Sequence, residues 1–143
     1  MPIKMTQAAL DKRREKFMPG GIPKFVRIYD NGGTDEGGTI DRYTVLFTGQ
    51  YRKRLECQFL ILGMDAHPTH PQGFGSHEGY DTIIDAPGGW APAMGKKCHL
   101  GTRVPFSELP EDCQKLTVDD YEDIWNLATR PLPFGKEPNV VIT

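Results

Sequence analysis

Glycine and proline punctuate this chain more strongly than any other feature constrains it. Sixteen glycines and twelve prolines make up nearly a fifth of its 143 residues. Glycine weakens a helix interior and proline breaks it. That density excludes a helical bundle or a coiled coil and leaves short elements joined by turns. At this length a chain can bury roughly 70% of the surface it exposes when unfolded. It therefore needs no disulfide or metal staple to hold a core.

Between the breakers, two kinds of periodicity alternate. Thr6 to Met18 (TQAALDKRREKFM) is composed of good helix formers and stops at Pro19-Gly20-Gly21. Its apolar stripe is thin, running through Met5, Ala9, Leu10 and Phe17, so the expectation is a weakly docked helix. From Pro23 the period becomes two. KFVRIY and DRYTVLFT set Val26 and Ile28, then Tyr43, Val45 and Phe47, on one face each, as strands do. NGGTDEGGTI between them is too long for a two-residue turn and predicts an extended hairpin loop. CQFLIL (57–62) is continuously apolar and is expected to be the central strand.

Residues 63–98 are rich in glycine, proline and histidine, and only DTIID (81–85) among them has a strand pattern. The aromatics Phe74, Tyr80 and Trp90 predict an ordered loop packed on the sheet, with Phe74 and Trp90 as candidate contact residues. LGTRVPF (100–106) predicts a further strand that Pro105 confines to an edge or an end. Pro110-Glu111-Asp112 suits the first turn of a helix. Thr117 with Asp120 reads as the N-cap of a second helix, whose face is Tyr121, Ile124, Trp125 and Ala128. Asn139 to Ile142 reads as a last strand. The runs of strand followed by helix predict one α+β domain: a mainly antiparallel sheet of four to six strands, one N-terminal helix and two C-terminal helices. Its expected parts are a basic helix over 1–22, the sheet and long loop over 23–106, and helices and tail over 107–143.

The net charge of -2 argues against bulk nucleic-acid binding, yet the charge is uneven. Residues 1–27 carry seven cations against Asp11 and Glu15, a net of +5. Residues 107–124 carry seven acids against Lys115, a net of -6. The expectation is a bipolar molecule. Arg13, Arg14, Arg52, Lys53 and Arg54 are the candidate contacts to nucleic-acid phosphates, with Tyr43, Phe47 and Tyr51 near the second group for stacking. The acidic segment is an equally open candidate for occupying a basic groove on another protein.

Histidine is the densest chemistry. His67, His70 and His77 fall within eleven residues, and Asp65, Glu78 and His99 extend the set. Imidazole is the commonest metal ligand and titrates near neutrality. Three histidines with a carboxylate would suit zinc or iron. The spacing matches no ligand motif, however, and a proline-broken loop cannot align His67 and His70 by helical geometry. The preferred reading is that each ring fixes a turn, so no metal or other cofactor is expected. His70 and His77 should then be the partly buried pair and His67 the exposed one. His70, His77 and His99 remain the candidate acid/base residues and His67, His70 and His77 the candidate metal set. The glycine-rich stretches match no phosphate-binding arrangement. Asp30, Asp35, Glu36 and Asp41 read as a solvated hairpin tip before a cation site. Cys57, Cys98 and Cys113 form no CxxC pair, which predicts reduced thiols in a cytoplasm. No apolar run approaches the roughly 18 residues of a membrane span, and no apolar leader opens the chain.

Three phrases, IYDNGG…DRYTVLFTG, HPQGFGSH and HLGTRVPFSELPEDCQKL, resemble segments of small uncharacterised proteins encoded by bacteriophages and other bacterial mobile elements. The resemblance spans about residues 25–118 and transfers no active site. It implies a bacterial host cytoplasm and an accessory role exerted by binding, such as countering host defence or regulating a host enzyme. The combined expectation is a non-enzymatic protein that binds a host protein or nucleic acid. The rival expectation is a histidine-dependent, metal-assisted hydrolase or nuclease.

Overall fold

The computed structural model describes residues 2–49, 58–73, 75–82 and 94–143. Among them are eight strands: β1 (Ile3–Met5), β2 (Val26–Asp30), β3 (Tyr43–Phe47), β4 (Gln58–Met64), β5 (Ser76–Thr82), β6 (Lys97–Cys98), β7 (Gly101–Val104) and β8 (Val140–Ile142). Two α-helices accompany them, α1 (Gln7–Phe17) and α2 (Glu111–Trp125). None of the described helices is long and apolar enough to cross a membrane. The fold is α+β with a six-stranded antiparallel sheet, as the periodicities predict. The residues fall into two compact units, Phe25–Gln114 and the pair of segments Met1–Lys24 and Lys115–Thr143.

The first unit is the sheet, in the order β5-β4-β3-β2-β7-β6 with every pairing antiparallel. β2 and β3 pair Val26 with Phe47 and Asp30 with Tyr43, closing the expected long hairpin. They hold the centre, and β4 lies one strand from the edge, so the central place expected for CQFLIL belongs to β3. The physical reason is coverage on both faces: all five residues of β3 are buried, not only the alternate ones. Val45, Phe47, Ile28, Leu62 and Met64 are buried on one face. Tyr29 and Leu46 form a cluster with Ile61, Cys98 and Leu100 on the other. Cys57 lies outside the described residues.

The long irregular loop expected over 63–98 is interrupted. Ser76 to Thr82 pairs along all seven residues of β4. Its sequence, SHEGYDT, has weak strand propensity, but the apolar neighbour supplies a full ladder to pair with. His77 lies opposite Gly63, where a Cβ would come within 2.9 Å of its ring, so the imidazole covers a position that only glycine leaves open. Residues 83–85 of the strand expected at 81–85 lie outside the described residues. β7 stops at Val104 before Pro105, as expected, though β6 flanks it on the outer side.

In the second unit, Thr6 caps α1 through its hydroxyl, which accepts from the Ala9 N–H at 3.2 Å. Leu10 and Phe17 are buried, and the Phe17 ring stacks on Trp125 at 4.4 Å. β1 pairs with β8 in parallel, a strand the sequence reading assigned to no element. One 15-residue helix, α2, replaces the two expected C-terminal helices. Cys113 to Leu116 contain no breaker, so the helix runs through Thr117, which is buried within it rather than capping a new start. Within this unit the acidic segment is paired, once with the basic block and otherwise with cations beyond it. Arg14 pairs with Glu122 at 2.6 Å, Lys136 with Asp123 at 2.9 Å, and Arg130 with both Asp119 and Glu122.

Candidate functional site

Three connections gather at one end of the sheet: residues 31–42 between β2 and β3, 65–75 between β4 and β5, and His99-Leu100 between β6 and β7. The 31–42 loop is central and a cleft opens on each side of it. One, of about 430 Å³, is shared with residues 65–73. The other, of about 570 Å³, is shared with residues 97–104.

Asn31 builds the central loop. Its Oδ1 accepts from the N–H groups of Gly33 at 2.8 Å and Thr39 at 3.3 Å. Its Nδ2 donates to Thr39 Oγ1 and to the Asp41 carbonyl, both at 2.9 Å. Gly38 packs so tightly that a Cβ there would lie 2.3 Å from Asn31 Oδ1. Beside this hub, Arg42 clamps Asp30 with two bonds, Nε to Oδ1 at 2.9 Å and Nη2 to Oδ2 at 3.1 Å. The guanidinium bonds hold the Asp30 carboxyl below the usual carboxylate range, against the opposing effect of burial. The same bonds raise Arg42, whose guanidinium also lies 5.3 Å from the Tyr43 ring centre.

The facing loop is fixed in the same way. Buried Asp65 accepts from the His67 N–H at 2.7 Å through Oδ1. His70 N–H donates to the His67 carbonyl at 3.1 Å, and Gly73 N–H to the His70 carbonyl at 2.8 Å. His70 Nδ1 accepts from the Gln72 N–H at 3.1 Å, which assigns the neutral ring's proton to Nε2. The Cys113 thiol donates to the Asp65 carbonyl at 3.3 Å, tying the start of α2 to the end of β4. Burial, with Asp65 and Asp112 adding to it, pushes that thiol up to about 12.

The histidines thus separate. His67 and His70 share the first cleft, with ring centres 6.5 Å apart and tilted by 59°. His77 sits on β5, where its Nδ1 lies 3.0 Å from Asp41 Oδ2. His99 lines the second cleft beside Cys98. No group of three or more His, Cys, Asp or Glu side chains among the described residues is placed to hold a metal ion. The expected burial of His70 and His77 is corrected: both are exposed, as is His67, the His70 ring bonding at the surface of its own turn and the His77 ring lying over Gly63 beside Asp41.

Arg13 and Arg14 lie on α1, turned into their unit. Arg13 donates to the Trp125 carbonyl at 2.6 Å, and Arg14 to Glu122 and to the Leu127 carbonyl at 2.9 Å. Arg52, Lys53, Arg54, Phe74 and Trp90 lie outside the described residues. Sequence reasoning missed Asn31, Arg42 and Gln72 as site residues. The Asn-Gly-Gly run was a usable signal for Asn31, since a side chain that bonds its own backbone two residues on is common there. Comparison with protein-family models, with curated proteins and with solved structures returns no match.

Proposed function

We propose that this chain is a small accessory protein of a bacteriophage or other mobile element that acts in the bacterial host cytoplasm by binding a host protein. The observation that carries this reading is the pre-organised cleft between residues 31–42 and 65–73. Its donors are already fixed by neighbours: Arg42 by Asp30, and His70 by the Gln72 N–H. A slot held rigid before contact loses little entropy on binding. Its lining mixes Arg42, His67 and His70 with Asp35, Asp65, Thr39 and Gln72. That balance of donors and acceptors suits the polar edge of a protein loop. It suits a phosphate chain less well, because Asp35 and Asp65 oppose a polyanion.

The histidine-dependent enzyme is the weaker reading. His77 is engaged with Asp41, His70 uses a ring nitrogen within its own turn, and His99 lies in the other cleft. The nucleic-acid reading is weakened by the engagement of Arg13 and Arg14 within their unit. The test immobilises the wild-type protein and the double variant His67→Ala/Gln72→Ala and compares what each retains from a bacterial host lysate. Loss of one defined protein with the variant supports the cleft as the binding site. Equal retention by both proteins removes the cleft from the reading. Salt-sensitive binding of DNA or RNA by the wild type would replace the protein partner with nucleic acid.

A further inference from the structure

The turn at residues 132–136 presents an aromatic ring to solvent at the expense of its own backbone. Its ends are fixed. Leu132 is buried, its N–H donates to the Lys136 carbonyl at 3.0 Å, and the two residues form an antiparallel bridge. Lys136 Nζ is held by Asp123 at 2.9 Å, and Arg130 is held by Asp119 and Glu122. Between these ends Phe134 adopts φ 62° and ψ 31°, in the left-handed region. Among the described residues one other non-glycine has positive φ, Asn126, and asparagine tolerates that region. A bulky aromatic there is a genuine outlier.

The side chain recovers nothing for this strain. Phe134 is 101% exposed, as open as the residue can be. Glycine would relieve the backbone, and a polar residue would suit the solvent. Strain held in place by fixed flanks and combined with an unburied ring marks a contact made elsewhere. Aromatic side chains, Phe among them, are enriched in protein interfaces relative to the rest of the surface.

We propose that Phe134 is a docking anchor that inserts into an apolar pocket on a partner protein. This inference rests on the binding reading above and adds a contact that the reading does not name. The occupant follows from the shape and charge of the turn. A single ring on a bridged turn is convex, so its partner is concave. The flanking cations are matched by Asp119, Glu122 and Asp123, leaving no excess positive charge for a nucleic acid or an anionic bilayer. One phenyl ring also offers a bilayer too little apolar area for stable attachment.

The test combines Phe134→Gly with a photo-crosslinking phenylalanine analogue placed at 134 or, as a control, at 137. In a bacterial host lysate the analogue at 134 should crosslink one identified protein within an apolar pocket, and the analogue at 137 should not. Phe134→Gly should reduce retention of that protein at least tenfold while raising Tm by about 2–4 °C through relief of strain. The opposite signs of the two effects separate an anchor from a packing residue. A lowered Tm, or unchanged retention by Phe134→Gly, overturns the anchor and leaves the binding reading standing. A wild-type protein that retains nothing overturns the binding reading and the anchor together. Phe134-dependent flotation with phosphatidylcholine–phosphatidylglycerol vesicles, or a dimer lost in Phe134→Gly, reassigns the ring and overturns the proposal.

Discussion

Replacing Glu122 by Gln is the most incisive perturbation of the helical unit. Glu122 is 3% exposed, and its two oxygens accept from different arginines, Oε2 from Arg14 at 2.6 Å and Oε1 from Arg130 at 2.8 Å. Glutamine keeps the shape and one acceptor but removes the charge that both guanidinium groups face. Deleting one member of a fully buried ion pair costs about 3–5 kcal/mol. Here the arginine side chains are 35% and 43% exposed, so water recovers part of the loss. The expected destabilisation is therefore about 2 kcal/mol, or a Tm lower by about 4–8 °C for a chain of this size. Urea unfolding followed by tryptophan fluorescence reads it directly, because Trp125 stacks on Phe17 in the same unit. The midpoint should fall with an unchanged m-value. A cycle with Arg14→Met should show coupling of about 1 kcal/mol. A loss below about 0.5 kcal/mol, or additivity of the two changes, would refute the assignment of Glu122 as the joint of this unit.

Gly38→Ala should destabilise the sheet unit by about 1–3 kcal/mol. The added Cβ would meet Asn31 Oδ1 at 2.3 Å and the Asn31 carbonyl at 2.4 Å; chemical shifts that stay unchanged over 31–42 would contradict this. The depressed carboxyl of Asp30 gives stability that is complete above its unfolded pKa and is lost as pH falls through the lower folded value. Asp30→Asn should accordingly flatten the acid limb of the stability curve below about pH 4, and an unaltered limb would refute the Arg42 clamp. Tyr29 is fully buried and its hydroxyl has no hydrogen-bond partner among the described residues, so Tyr29→Phe should be neutral or stabilising by about 1 kcal/mol in chemical denaturation.

The parts of the fold legible in the sequence were those where local pattern and tertiary environment agree. The helix from Thr6 to Met18 carries its own cap and its own stop. The β2–β3 hairpin carries its alternation and its glycines. β5 was not legible because its structure comes from its neighbour: Gly79 and Asp81 disfavour a strand, and the ladder of β4 overrides them. The break expected before Thr117 failed because a threonine reads as a cap only when the preceding turn is not already helical. The pairing of Arg14 with Glu122 could not be read at all, since linear charge does not say which segments meet. The same limit applies to the clefts. The histidine cluster drew attention to 67–77, but the residues that fix the site, Asn31 and Arg42, sit on another loop and become neighbours only through strand order.

Arg13 meets the Trp125 carbonyl across 112 positions of sequence, while Phe25–Gln114 closes on itself as an uninterrupted stretch. This fixes an order of events on the ribosome. The eleven residues of α1 emerge before the sheet, yet a helix that short is marginal alone. Phe17 lacks its stacking partner Trp125 until residues 115–143 have been made, and by then the intervening sheet has its whole sequence available. A segment translated before the sheet is fastened only after it. During that interval it is a basic, weakly apolar peptide open to chaperones and proteases.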